Sequence, residues 1–175
     1  QLTVIYLIAA YMADKLGKKE IAGQYTQKAK EMAVEWERMA NDGDHYKLTF
    51  DKSGTWSQKY NLVWDKLMNW QIFPEQIVKT EIPYYLTKQN RYGLPLDNRQ
   101  TYTKTDWIMW TATLAPDKAT FEEFIEPVYL FMNETTDRIP MSDWVFTDKP
   151  EHRAFQARSV VGGYFIKMLE NKMNN

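Results

Sequence analysis

The sequence predicts an all-α fold of consecutive antiparallel helix pairs, and three observations carry that prediction. Ile21, Tyr25, Ala29, Met32, Trp36 and Met39 recur at spacings of four, four, three, four and three, which marks one face of a long amphipathic helix. Extended signals are scarce, with only Tyr46–Asp51 reading as a strand. The breaks between helical segments alternate between short and long, as they do when helices pair as hairpins.

Taken in order, residues 2–16 are apolar nearly all round, the pattern of a buried helix, and Gly17 stops them. This first helix has no N-cap ahead of its first apolar residue, so the chain is expected to be part of something longer. A second helix covers about 18–41. A third is expected over 56–69, with Tyr60, Val63, Leu67 and Trp70 on one side. The fourth begins at Pro74, a favoured first-turn residue, and runs to about Gln89 with a disturbance at Pro83. Asp106–Leu114 forms a short fifth, Asp117 to about Met132 a sixth with Pro127 inside it, and 154–171 a seventh. Gly162-Gly163 within that seventh helix costs roughly 1–2 kcal/mol relative to alanine, so a close approach by a neighbouring segment is expected there.

The long connections follow the second, fourth and sixth helices, at about 43–55, 90–105 and 133–153. In an up-down array these lie at one end and form a common rim. The first brings His45, Asp51 and Trp56. The second is YGLPLDNRQTYTKTDW (92–107), and the third carries Asn133, Asp137, Arg138, Ser142, Asp143 and Trp144 and leads on to Arg158. Carboxylates, guanidinium groups and indoles from three hairpins thus converge on one surface.

Composition narrows the function. The 175 residues suit one domain, with 44% hydrophobic and 26% charged residues. With 22 basic against 23 acidic residues, nothing marks a nucleic-acid or anionic-membrane partner. Aromatics are in excess at 15%, which fits either a bulky helical core or a ligand cleft. Cysteine is absent, which removes disulfides and thiolate chemistry, and His45 and His152 are too far apart in sequence for a zinc motif, so no metal or other cofactor is expected. Asn41-Asp42-Gly43-Asp44 lacks the rest of a calcium loop and reads as a turn.

YNLVWDKL (60–67), YGLPLDNRQTYTKTDW (92–107), RIPMSDW (138–144) and FQARSVVGGYF (155–165) resemble hallmark segments of the glutaminase A family. The resemblance covers essentially the whole chain. It implies the C-terminal part of a six-helical-hairpin domain, an α/α toroid similar to those of many glycosidases, here about three and a half hairpins over residues 1–175. It also implies hydrolysis of L-glutamine to glutamate and ammonia, and a secreted or periplasmic setting, as in fungal and bacterial members including those of gut Bacteroides. The alternative is a carbohydrate-binding or glycoside-processing toroid, with the isolated fragment inactive.

The resemblance carries no catalytic assignment, so roles come from side-chain chemistry. Asp97, Asp106 and Asp143 are the candidate acid/base carboxylates. Two of them have a structural counterpart: Asp97 closing its own turn with Arg99, and Asp106 or Thr105 capping a helix. Asp143, in Ser-Asp-Trp, echoes the Thr-Asp-Trp around Asp106. Arg99 and Arg158 are candidates for binding a carboxylate, since the guanidinium fork matches it. Trp56, Trp107 and Trp144 are candidate stacking surfaces. Lys104 follows Thr103 in a weak nucleophile–base pattern, and Asp65 lies four residues from Asn61 on the third helix, where the pair could face the bowl. A small molecule or a glycan is the expected substrate. The partners expected are the rest of the toroid and, through the severed apolar edge at residues 2–13, a second copy of the chain.

Overall fold

The computed structural model describes residues 2–173. Among them the chain forms α1 (Leu2–Lys15), α2 (Lys19–Ala40), α3 (Leu62–Leu67), α4 (Glu75–Leu86), β1 (Tyr102–Lys104), α5 (Thr105–Thr113), α6 (Lys118–Glu134), β2 (Trp144–Phe146), a 3-10 segment (Ser159–Phe165) and α7 (Ile166–Met173). The fold is all-α apart from one two-stranded ribbon.

α1 and α2 pack along their length as a hairpin. The buried side of α2 is Ala22, Ala29, Ala33 and Ala40, while Ile21 and Tyr25 stay partly exposed. The face is therefore rotated from the one marked by bulky residues, because alanines let two helix backbones come close. α1 buries Thr3, Leu7, Ala10 and Ala13 but leaves Leu2, Ile5, Ile8, Tyr11, Met12 and Leu16 exposed, so it is not covered all round.

α5 is the hub of the remaining helices, packing against α3, α6, α7 and the 3-10 segment. Its Ile108 and Ala112 join Val63, Ile77, Tyr85, Leu94, Phe124 and Val128 in the main core. α6 begins where the sequence places it, with the Asp117 carboxylate accepting the Thr120 N–H. Pro83 and Pro127 both lie inside helices.

Four expectations need correction. The third helix spans only Leu62–Leu67, because residues 56–58 run extended, with the Ser57–Asp97 bridge, and Tyr60-Asn61 makes a turn before the helix. The fourth starts at Glu75, with Pro74 one residue outside it. The seventh is a 3-10 segment followed by a short α-helix, and Gly162 and Gly163 sit in the former. Finally, Tyr46–Asp51 forms no strand beyond a single bridge between Asn41 and Tyr46. The extended backbone lies instead inside the second and third long connections, where β1 and β2 pair antiparallel with Tyr102 opposite Phe146, Thr103 opposite Val145 and Lys104 opposite Trp144.

That ribbon, with single hydrogen bonds around it, ties the long connections together. Gln58 N–H donates to Leu96 C=O, Asn98 N–H to Trp56 C=O, Tyr92 N–H to Thr147 C=O and Thr105 N–H to Asp143 C=O. Gly93, at φ +124, lies where a Cβ would stand 2.9 Å from Ile108 Cδ1, so only glycine lets this loop close on α5.

Candidate active site

Lys104 ends β1 and Thr105 begins α5, so the strand-to-helix junction fixes where Asp106 goes. Across the ribbon, Thr105 Oγ1 donates to the Ser142 and Asp143 carbonyls, which holds Asp143 beside the first turn of α5. Asp106 and Asp143 are 3% and 1% exposed. The Lys104 ammonium donates to Asp143 Oδ2 at 2.8 Å, and Arg158 Nη1 donates to the same oxygen at 3.1 Å. Lys104 also lies over the Trp144 ring, 4.3 Å from its centroid, and Trp144 stacks on Phe155. Asp143 is thus a buried carboxylate held by two cations under an aromatic cover.

Asp106 is the contrasting member of the pair. Burial, and then the nearby Asp143 charge, push its pKa up to about 6; its own N–H, Lys104 and the Trp107 N–H oppose the shift only in part. Its Oδ1, like Asp143 Oδ1, is buried with no hydrogen-bond partner among the described residues. Gly163 lies against it: a Cβ there would stand 3.0 Å from Asp106 Cβ and 2.9 Å from Trp110 Nε1, itself a buried donor without a partner. The Tyr164 phenol is raised above the ordinary tyrosine range by burial and by the Asp106 and Asp143 charges. A strap over residues 154–158 lies against the Asp143 side of this cluster. Its Phe155 carbonyl accepts from Ser142 Oγ, and Ala154 and Ala157 lie in the left-handed region at φ 52 and 50.

The other sequence-selected residues lie elsewhere. Asp97 is occupied by Arg99, accepting its backbone N–H at 2.9 Å, Nε at 2.9 Å and Nη2 at 2.7 Å, so the two form a local clamp away from the Asp106–Asp143 pair. Both line a cleft of about 470 Å³, which Trp107 lines as well. Trp107 stacks on Tyr60 at 4.1 Å and forms part of that cleft wall. Trp56 is buried against Tyr84 and Tyr85 in the core rather than on the rim. Asp65 faces the α3–α4 connection, where its carboxylate accepts the Ile72 and Phe73 N–H groups and burial raises its pKa. Thr103 is fully buried while Lys104 reaches Asp143, so strand alternation separates that pair. The Thr-Asp-Trp and Ser-Asp-Trp echo places one aspartate in a helix and the other just ahead of a strand. Among the described residues no group of histidine and carboxylate side chains is arranged to hold a metal ion, and no helix is long and apolar enough to cross a membrane.

Sequence reasoning missed Ser57 and Lys59. Both line the cleft, and Lys59 Nζ lies 3.2 Å from Ser57 Oγ. The signal was a Ser-x-Lys spacing, which puts both side chains on one side of extended backbone, and it was hidden by reading residues 56–61 as helix. Tyr164 was missed as well, and no sequence spacing marks it.

Comparison with known proteins fits this architecture. The family described as the glutaminase A six helical-hairpin domain matches residues 4–168. Glutaminase A of Aspergillus oryzae is 28% identical, over 91% of this chain and 24% of its own. A protein named "Probable glutaminase" from Arthroderma benhamiae is 26% identical, over 81% of this chain and 20% of its own. The chain therefore spans about a quarter or less of the length of these relatives. No solved structure matches it at a significant level. The chain belongs to the glutaminase A six helical-hairpin family.

Proposed function

We propose, with membership of this family as the premise, that the chain supplies part of the working rim of a glutaminase-type hydrolase. In this reading Asp106 moves the proton during hydrolysis of the L-glutamine side-chain amide. The observation that carries it is the pairing of two buried carboxylates with different surroundings: Asp143 held by Lys104 and Arg158, and Asp106 pushed up to about 6 beside it.

A carboxyl that titrates near working pH can take a proton in one step and return it in the next. Asp106 as the base accepts a proton from the attacking water, and the resulting acid donates it to the departing ammonia. Arg158, at 39% side-chain exposure, is the rim cation open to a substrate carboxylate. Substrate reaches the Asp106–Asp143 pair by displacing residues 154–157, whose two left-handed alanines each carry roughly 1–2 kcal/mol of strain, while Arg158 at the end of that segment stays on Asp143. The glycan alternative rests on the Trp107–Tyr60 stack in the cleft wall. Quenching of tryptophan fluorescence by oligosaccharides but not by glutamine would favour it.

The test is ammonia release from glutamine by the full natural polypeptide that contains this chain, measured against pH. The expected profile has a limb near pH 6, and Asp106→Asn loses at least about a hundredfold in kcat/KM. Undiminished turnover in Asp106→Asn, with the same profile, would overturn the assignment.

A further inference from the structure

We propose that Ser57 and Lys59 form a nucleophile–base dyad in the cleft, acting on the carbonyl of small amides or esters. This goes beyond the preceding reading, since it requires neither glutamine as substrate nor any role for Asp106.

The geometry begins with the backbone. Residues 56–58 run extended against 96–98, locked by the Gln58 and Asn98 N–H bonds, and Lys59 follows directly. Gln58 points into the interior, where its amide nitrogen donates to the Leu94 and Pro95 carbonyls. Ser57 and Lys59, its neighbours, both line the cleft. The Tyr85 phenol fixes the segment from behind, accepting the Lys59 N–H and donating to the Ser57 carbonyl, each at 2.9 Å.

The Lys59 amine has three contacts in reach: the Tyr46 carbonyl at 2.9 Å, the Ser57 carbonyl at 2.9 Å and Ser57 Oγ at 3.2 Å. A neutral amine has two N–H donors and one lone pair. As an ammonium Lys59 donates to all three; on losing one proton it keeps two donors for the carbonyls, which accept only, and turns its lone pair to the serine hydroxyl, which can donate. That is the arrangement in which a serine proton passes to nitrogen.

Burial moves Lys59 toward the neutral amine. Glu81 on α4 lies 3.7 Å from the ammonium position, with both side chains buried. Burial pushes Lys59 down, with Glu81 opposing, and pushes Glu81 up, with Lys59 opposing. The other titratable groups facing the pair are Tyr85 on α4, Tyr46 and His45 after α2, and the Asp97–Arg99 clamp across the bridge. Glu81 Oε1 accepts the Tyr46 N–H, and burial, the largest influence on this carboxyl, moves it toward its protonated form, with Lys59, Tyr85 and the Tyr46 N–H opposing.

The cleft supplies what such a dyad needs. Trp107 gives it a flat apolar wall, Asn61 a side-chain amide, and Lys47 an ammonium with no hydrogen bond of its own among the described residues. Ser57 Oγ bonds to the acyl carbon as its proton moves to Lys59, giving a tetrahedral adduct. The carbon–nitrogen or carbon–oxygen bond then breaks, and Lys59 returns the proton to the leaving amine or alcohol. Water, deprotonated by the same amine, releases the acid and restores Ser57.

The experiment is covalent labelling of the full natural polypeptide with an alkyl fluorophosphonate, followed by peptide mass mapping. Ser57 Oγ displaces fluoride at phosphorus and its proton goes to Lys59, so the adduct reports the dyad without any turnover. The expected result is a single adduct on Ser57. Its rate should rise with pH through a midpoint below that of free lysine. Ser57→Ala should show no adduct, Ser53→Ala an unchanged rate, and the paired variant Lys59→Met/Glu81→Gln at least a tenfold slower one. That paired variant removes both members of the buried Lys59–Glu81 pair together, so neither is left without its partner, and folding is checked by circular dichroism. A folded protein with no Ser57 adduct, or one labelled equally fast in the paired variant, would overturn the dyad. Because labelling does not depend on glutamine, its failure is distinguishable from failure of the glutaminase reading.

Discussion

Replacing each glycine of the Gly162-Gly163 pair by alanine, one at a time, tests how the carboxylate layer is packed. A Cβ at Gly162 meets nothing within 4 Å, whereas at Gly163 it meets Trp110 Nε1 at 2.9 Å and Asp106 Cβ at 3.0 Å. Neither residue has a positive φ, so backbone strain does not enter. Both substitutions reduce the freedom of the unfolded chain alike, a stabilisation of about 0.4–1 kcal/mol that cancels in the comparison. What remains is overpacking at Gly163, about 1–3 kcal/mol, because Asp106 sits on a helix backbone and the Trp110 ring is held edge-on against Trp64. Gly162→Ala should therefore be neutral or more stable than the parent, and Gly163→Ala less stable than Gly162→Ala by that amount. With a urea slope of about 2 kcal/mol per M, the midpoints should separate by roughly 0.5–1.5 M. Tryptophan fluorescence reads the transition and also reports Trp110. Coincident midpoints would refute the claim that a close approach of the 3-10 segment shapes the Asp106 site.

Lys104→Met leaves the Asp143 carboxylate buried with only Arg158, and should cost about 3–5 kcal/mol in urea melts. Arg158→Gln, on the more exposed cation, should cost clearly less. Because α1 leaves Ile5, Ile8, Met12 and Leu16 exposed along one side, the isolated chain is expected to self-associate, and Ile5→Lys/Ile8→Lys to shift light scattering toward monomer. A wild-type chain that stays monomeric at high concentration would count against that surface being adhesive.

The fold class was legible because helix periodicity and the alternation of long and short connections are properties of the chain itself. α6 is the clearest case, with Asp117 ahead of an apolar face and capping in the structure. The ribbon was not legible, because Tyr102–Lys104 and Trp144–Phe146 are each three residues long and gain their structure only from pairing across 40 to 44 positions. The buried face of α2 was misread for a related reason. Hydrophobic bulk marks a side that seeks cover, but here close packing against α1 selects alanine. Of the site, the three loops and their carboxylates could be listed, but not sorted. Asp97-Asn98-Arg99 closes on itself, a local arrangement the spacing already allowed. The contact between Asp106 and Gly163 depends on how a distant 3-10 segment lies over α5.

The sorting of the two carboxylates also fixes how stability must depend on pH. Folding raises Asp106 from an ordinary aspartate value of 3.8 to about 6, so the folded chain holds this proton to higher pH than the unfolded chain does. The stability contributed by that proton is complete below about pH 4 and is lost as pH rises through about 6. A shift of that width corresponds to roughly 3 kcal/mol. Asparagine has nearly the same shape and no titration, so Asp106→Asn should gain on the parent by about that amount between pH 4 and pH 7.5. Groups away from the site contribute equally to both proteins and cancel. Paired urea melts across this window read the difference directly. A constant difference from pH 4 to 7.5 would mean that Asp106 is not desolvated as its burial requires, and the argument for its role as proton carrier would lose its physical basis.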